Sequence, residues 1–229
     1  MAGLTQRQFP VVANAQKLCV TLDRPSTIMK YLLILKAHHD ICGDEVGLIT
    51  HQSQFLNITV KEEVIDKEQT MLDVFTKYKQ QGLKFDFVYL CTHADGVAFE
   101  IEMGIDKSEM TWGRFGQIVC ESGVLNDDTI FLLACCRGGL FKVSTDMFAV
   151  CNKLNFICGA KWTLKAADLA TGFVVFLYNL GYKKAEPSYA AQKATLATDY
   201  SFVCHDRAEI ESHPQFETEG GNYIEKLVG

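Results

Sequence analysis

Continuous runs of apolar residues alternate along the chain with segments in which apolar residues recur every three or four positions. The clearest runs are residues 85–90 and 130–134, and each predicts a strand that is buried on both faces. Between them, residues 112–119 place large apolar side chains on one stripe of a helix, which Gly123 is expected to end. Strand, helix and strand in this order are typical of parallel strands joined by a crossover helix.

The same two patterns predict the other elements. Further strands are expected at residues 16–22, 47–50, 55–64 and 155–160, and a hairpin at residues 97–105. The charged residues within 55–64 favour the edge of the sheet for that strand. Helices are expected over 66–82, with Asp66 and Gln69 as a capping box, over 168–181 and over 187–199. A further helix is expected after a Ser144 cap. Another is expected after a Ser26 cap, with one apolar face formed by Ile28, Tyr31, Leu32 and Leu35.

This alternation predicts the α/β class, as a three-layer α/β/α sandwich with a mainly parallel sheet. We expect one domain over residues 1–229, within which the segment 200–229 has no assigned structure. The hydrophobic fraction of 48% is enough to fill the core of such a domain. Both tryptophans, Trp112 and Trp162, are expected in that core.

Charge and cysteine content narrow the function classes. A net charge of -6 and a pI near 5.5 argue against nucleic acid or an anionic membrane as a partner. The nine cysteines are odd in number and contain no CxxC pair, which favours a reducing compartment and predicts no metal site. No apolar run is long enough for a signal peptide or a membrane span, so we expect a cytoplasmic protein.

The candidate chemistry lies where two predicted strands end. His93 follows the 85–90 strand, and Cys135 and Cys136 follow the 130–134 strand, before Arg137 and two glycines that allow a sharp turn. The carboxyl ends of parallel strands meet at one edge of a sheet, where ligands bind. If the two strands are neighbours, an imidazole and a thiol share this edge, as a nucleophilic cysteine and its general base require.

Four motifs in this order resemble one family. CTHADG (91–96), LLACCRGG (132–139), GAKWTLKAADLATGFVVFLYNL (159–180) and SYAAQKATLATD (188–199) look like segments of the caspase-like (clan CD) cysteine peptidases. The resemblance is closest to the CHAT subgroup, which is related to separases and metacaspases, and it covers residues 57–199. It implies a caspase-like fold and a thiol protease that cuts protein substrates without a metal or an organic cofactor.

The resemblance also implies roles for residues at both loops. His93 would be the general base and Cys135 the nucleophile, with backbone N–H groups around Ala94, Gly96 and Cys136 holding the oxyanion. The family usually has glycine directly after the histidine, whereas Ala94 and Asp95 intervene here. Alignment on the strand and on ACxxG selects Cys135, whereas alignment on Cys-Arg-Gly selects Cys136. Cys135 is preferred because the strand fixes the alignment.

Substrate choice and regulation are implied more loosely. Asp168 resembles an aspartate that lies in the pocket for a basic P1 side chain in separase-like relatives, although a helix N-cap explains it equally well. Arg137 could bind a substrate carboxylate, or be solvated, or cap a helix. Relatives act in regulated responses such as cell death or antiviral defence, which implies an activating sensor or regulatory protein as partner. The alternatives are an inactive interaction module with the same fold and a Cys-His amidase for small molecules.

Overall fold

The computed structural model describes residues 30–37, 43–101, 108–163, 165–214 and 216. Within them, six strands form one sheet in the order β2-β1-β3-β6-β7-β8, and all are parallel except β8, which runs antiparallel to β7. A separate two-stranded antiparallel hairpin is formed by β4 and β5. The strands are β1 (Lys30–Lys36), β2 (Ile58–Val64), β3 (Phe85–Cys91), β4 (Ala98–Glu100), β5 (Glu109–Thr111), β6 (Leu125–Ala134), β7 (Leu154–Ala160) and β8 (Phe202–Asp206).

Helices cover both faces of the large sheet, which makes the fold a three-layer α/β/α sandwich as expected. One layer contains α2, α3, α4 and α7, and the other contains α1, α5 and α6. Their bounds are α1 (Gly43–Phe55), α2 (Glu68–Gln80), α3 (Trp112–Ser122), α4 (Phe141–Val150), α5 (Ala166–Leu177), α6 (Pro187–Ala197) and α7 (Arg207–Glu211), and a π-helical turn (Tyr178–Tyr182) extends α5. No helix among the described residues is long and apolar enough to cross a membrane.

The core consists of two apolar clusters, one on each face of the sheet. Alternate side chains of a strand enter alternate clusters, so Leu132 and Ala134 belong to the α5 side and Leu133 to the α3 side. All three are fully buried. The central strands are therefore continuous apolar runs, as is typical of parallel strands covered on both faces.

Two predicted elements near the start of the described chain are wrong. The segment from Tyr31 to Leu35, predicted as part of a helix, lies in β1, and residues 47–50, predicted as a strand, lie in α1. In β1 both faces are buried, so the run has no polar face, and its apolar positions fit a helical stripe as well as a strand. The predicted strand at 16–22 and the Ser26 cap lie outside the described residues.

Most of the other predicted strands and helices agree with the structure, but two predicted helix caps do not. Strands β2, β3, β6 and β7 and helices α2, α3, α5 and α6 are confirmed, and β2 is an edge strand as predicted. The predicted capping box is wrong, because Lys67 is the N-cap of α2 and makes no side-chain cap bond. Ser144 lies inside α4 and is not its cap. The segment left unassigned by the sequence supplies β8 and α7.

The strand order reverses between β1 and β3. The chain moves from β1 outward to β2 and then returns across β1 to β3, from which the sheet grows in the other direction to β8. In open α/β sheets, ligands bind outside the carboxyl ends of the strands near such a reversal. The carboxyl ends of β1 and β3 flank this reversal, and those of β6 and β7 continue the same edge, at which a site is expected.

Candidate functional site

The two candidate loops leave neighbouring strands at this edge. β3 and β6 are paired in parallel, with Cys91 opposite Ala134, and the Thr92 N–H donates to the Ala134 carbonyl at 3.3 Å. His93 follows Cys91 by two residues, and Cys136 follows Ala134 by two. The imidazole and the two cysteines that follow β6 thus lie on adjacent loops at the carboxyl edge.

The loop that carries His93 is a tight hydrogen-bonded turn. The Glu100 N–H donates to the His93 carbonyl at 2.8 Å, and the Asp95 N–H donates to the Ala98 carbonyl at 3.3 Å. The Asp95 carboxylate accepts from the N–H groups of Val97 and Ala98, and these bonds hold the pKa of Asp95 below its usual value. The turn is fixed by its own backbone, and the His93 side chain is exposed to solvent.

The two cysteines after β6 differ sharply in burial. Cys135 continues the alternation of the strand into the α3-side cluster, where its side chain is 0% exposed, whereas Cys136 is half-buried. Burial, with a smaller effect of the neighbouring Cys136, raises the pKa of the Cys135 thiol far above its ordinary value. A nucleophilic cysteine needs a thiolate and access to substrate. The geometry therefore favours Cys136, the alternative alignment, over the preferred Cys135.

Cys91 is not an alternative nucleophile near His93, since its side chain is 0% exposed. The adjacent loop carries the thiols of Cys135 and Cys136, neither of which forms a disulfide.

Arg137 joins the two loops. Its backbone has a φ of 60°, in the left-handed region, and its Nη1 donates to the Asp95 carbonyl at 3.3 Å. Gly96 lies beneath this contact with a φ of 97°, and a Cβ built there would be 2.7 Å from Leu140 Cδ1 and 3.5 Å from Arg137 Cβ. The glycine permits both the turn and the close approach of the loops. The Arg137 side chain thus acts as a brace between the two loops. A role for Gly96 or Ala94 in an oxyanion hole stays a prediction.

The turn after Cys136 also packs against the end of β7. The Arg137 N–H donates to the Trp162 carbonyl at 2.9 Å, and the Gly139 N–H donates to the Ala160 carbonyl at 2.8 Å. A Cβ on Gly139 would lie 2.5 Å from the Gly159 carbonyl oxygen. Only backbone without side chains can approach backbone this closely, so these glycines set the position of the turn.

A small pocket lies beside this turn. Its volume is about 70 Å³, and its lining includes Trp162, Asp168 and Lys165. Asp168 is the third residue of α5 and Lys165 is the N-cap, so the N-cap interpretation of Asp168 is wrong. Its Oδ2 accepts from the Ser201 hydroxyl at 3.1 Å. Trp162 was expected in the core with Trp112, but it is 61% exposed, whereas Trp112 is fully buried as predicted.

Sequence reasoning missed a buried carboxyl close to this edge. Glu45, in the first turn of α1, is only 9% exposed and interacts with Tyr89 of β3. Burial raises the pKa of Glu45, the Tyr89 hydroxyl opposes that rise, and Asp44 adds to it. The pKa of the Tyr89 hydroxyl is raised as well, mainly by burial and secondly by the nearby Glu45 carboxyl. This carboxyl was missed because residues 47–50, shortly after Glu45, are predicted as a strand, so the acidic residues before them are not recognised as the start of a helix.

No protein-family model matches the chain, and no curated protein matches it at a significant level.

Proposed function

We propose that the protein is a cysteine endopeptidase in which His93 is the general base and Cys136 the nucleophile. The observation that carries the proposal is the meeting of three loops at one sheet edge. The His93 turn, the turn that begins at Cys136 and the Trp162 loop are connected through Arg137, whose side chain binds one neighbour and whose backbone N–H binds the other. An accessible thiol, an exposed imidazole and a pocket lie together there.

The chemistry follows from these groups. His93 takes the proton from the Cys136 thiol, because the thiolate and not the thiol is the nucleophile and a neighbouring base is needed to form it. The thiolate attacks the scissile carbonyl and forms a tetrahedral oxyanion, which backbone N–H groups of the adjoining turns stabilise. Protonated His93 then gives its proton to the leaving amine. Water activated by His93 hydrolyses the thioester and restores both groups.

The resemblance to caspase-like peptidases supports the peptidase activity and His93 as the base, and its alternative alignment supports Cys136. Its four motifs occur in chain order on β3, on β6, on β7 with α5, and on α6. These elements are adjacent to one another in the sheet or pack on one face of it. Within the resemblance, Cys-Arg-Gly is the alignment that selects Cys136. Activation by a sensor or regulatory protein, as in cell death or defence responses, stays a prediction.

We further propose that Asp168 selects a basic P1 side chain. Its carboxylate lines the pocket next to the Cys136 turn. Lys165 lines the same pocket, and its positive charge partly offsets the negative charge of Asp168. We expect Asp168→Asn to lower kcat/KM for Arg and Lys at P1 by about tenfold, since one lost charge-assisted hydrogen bond is worth roughly 1.5 kcal/mol. Cleavage after Leu, a neutral comparison, should stay within about twofold.

The matched control is Asp127→Asn, which removes an exposed carboxylate from the opposite end of β6. It should leave every P1 preference unchanged. An equal loss on all substrates in Asp168→Asn would instead assign Asp168 to stabilising the start of α5, where a carboxylate favours the helix dipole.

The proposed activity is tested by covalent labelling. The protein is treated with peptide acyloxymethyl ketones that carry Arg, Lys, Asp or Leu at P1, and the modified cysteine is located by peptide mass mapping. We expect labelling at Cys136 and its loss in His93→Ala, because the unassisted thiol reacts slowly. Labelling that is equally fast in both proteins would show that His93 is not the base.

The other functions are distinguishable in the same assay. An absence of labelling with every probe, in a correctly folded protein with and without candidate activating partners, would favour an interaction module without activity. Reaction with small amide substrates but with no peptide probe would favour a Cys-His amidase. In either case the endopeptidase proposal fails.

A further inference from the structure

A second pair of thiols lies away from the candidate site, between strands β7 and β8. Cys158 and Cys204 are directly opposite each other in this antiparallel pair, and both are free. The Lys161 N–H donates to the Ser201 carbonyl at 2.8 Å, which makes 161 and 201 a hydrogen-bonded pair. Hydrogen-bonded and non-hydrogen-bonded pairs alternate along the ladder, so Cys158 and Cys204, three residues further, form a non-hydrogen-bonded pair.

That position suits a disulfide. The Cα atoms of non-hydrogen-bonded pairs are about 4.5 Å apart and their side chains are the closer ones of the ladder. Disulfides form when Cα atoms are about 4.4 to 6.8 Å apart. The two thiols are close enough that Cys158 contributes to the raised pKa of the Cys204 thiol. A disulfide between them therefore needs little backbone movement.

Solvent reaches this pair of thiols through Cys204. Cys158 is completely buried, whereas Cys204 is half-buried and lines a pocket of about 250 Å³ under α6, together with Gln192, Thr195 and Tyr200. Burial, followed by the contact with Cys158, raises the pKa of the Cys204 thiol well above its ordinary value. Oxidation should begin at Cys204 because it is the thiol that a reagent can reach. The raised pKa keeps this thiol mostly protonated near neutral pH, so the reaction should accelerate as pH rises.

β8 connects this pair to the candidate site. Ser201, directly before β8, donates to Asp168 at 3.1 Å, and His205, directly after Cys204, has its Nε2 2.9 Å from the carbonyl oxygen of Gly139. One contact is in the pocket and the other is in the turn after Cys136. A movement of β8 relative to β7 would therefore change both contacts, the one from Ser201 to Asp168 and the one from His205 to Gly139.

We propose that Cys158 and Cys204 are a redox modification site that a low-molecular-weight disulfide, such as oxidised glutathione, converts into a cross-strand disulfide. The Cys204 thiolate attacks one sulfur of oxidised glutathione and expels one glutathione thiolate. The expelled glutathione thiolate takes the proton of the Cys158 thiol, and the Cys158 sulfur attacks the Cys204 sulfur and expels the second glutathione thiolate, which water protonates. Two protein thiols are oxidised, and one glutathione disulfide is reduced to two thiols.

The experiment uses the full chain, reduced, desalted without oxygen and exposed to graded ratios of oxidised to reduced glutathione. Free thiols are then alkylated, and the protein is digested under non-reducing conditions and mapped. We expect a Cys158–Cys204 linked peptide that disappears on reduction and forms faster at pH 8.5 than at pH 7. Cys158→Ser should instead accumulate a stable glutathione adduct on Cys204, because the second step is blocked.

A comparison pair, Cys120 and Cys151, lies within the same protein. Burial, and secondly the nearby Cys120, raises the pKa of the Cys151 thiol to about 12. Cys120 lies within α3 and Cys151 directly follows α4, so the two are not opposite each other in a ladder. Linkage of Cys120 with Cys151 in place of Cys158 with Cys204 would overturn the proposal. So would reduced Cys158 and Cys204 at every ratio, or a persistent glutathione adduct on Cys204 in the wild type.

Discussion

Cys136→Ala is expected to reduce peptide cleavage by at least about a thousandfold, the usual effect of removing a catalytic nucleophile. Cys135→Ala is expected to retain most of the cleavage. The Cys136 thiol is half-buried on the turn that faces the His93 loop, whereas the Cys135 thiol lies in the core on the α3 side of the sheet. Removing the Cys135 sulfur leaves a small void and should lower the free energy of unfolding by roughly 1 kcal/mol.

The two variants are compared by kcat/KM on a peptide substrate and by unfolding in urea. This pairing separates catalysis from stability, because each cysteine should affect mainly one of the two readouts. Cleavage lost in Cys135→Ala and kept in Cys136→Ala would restore the alignment on the strand. Loss in both, with unfolding unchanged, would mean that the turn acts as a unit and that burial is a poor guide to the nucleophile.

The sequence predicts the central strands well because their physical signal is strong. β3 and β6 are long apolar runs with polar ends, and α3 has an apolar stripe followed by Gly123, which takes the left-handed conformation that ends the helix. β1 carries an equally apolar run, but Ser26 precedes it as a candidate helix cap and its apolar residues also fit helical spacing, so the sequence favours a helix there. A short apolar run does not by its period distinguish a buried strand from a buried helix segment.

The candidate site was predicted in its position but not in its detail. The carboxyl edge, His93 and the cysteine pair follow from where two apolar runs end. Which cysteine is accessible depends on the alternation of side chains at the last residue of β6, where the chain begins to turn, and a sequence does not reveal that point. The exposure of Trp162 is not readable from the sequence either. It depends on a loop whose backbone packs against the backbone of the turn after Cys136.

Gly139→Ala is expected to destabilise the protein by several kcal/mol, the range of severe overpacking in well-packed regions. Its new Cβ would lie 2.5 Å from the Gly159 carbonyl oxygen and 2.6 Å from Val203 Cγ2. The nearest obstacle is backbone, which has no rotamer to change. Relief requires the turn to move away from β7, which breaks the bond from the Gly139 N–H to the Ala160 carbonyl. Labelling of Cys136 should fall with it.

Gly47→Ala is the matched control, because a Cβ at Gly47 meets nothing within 4 Å and the residue lies inside α1. Alanine is favoured over glycine in a helix by about 1 kcal/mol, so this variant should be as stable as the wild type or more stable. Both variants are measured by urea unfolding and by the labelling rate of Cys136. If Gly139→Ala unfolds like Gly47→Ala and labels at the wild-type rate, the turn is not held by contact between backbones. The position of Cys136 would then depend on the brace from Arg137 to the His93 loop, and Arg137→Ala would become the variant with the larger effect.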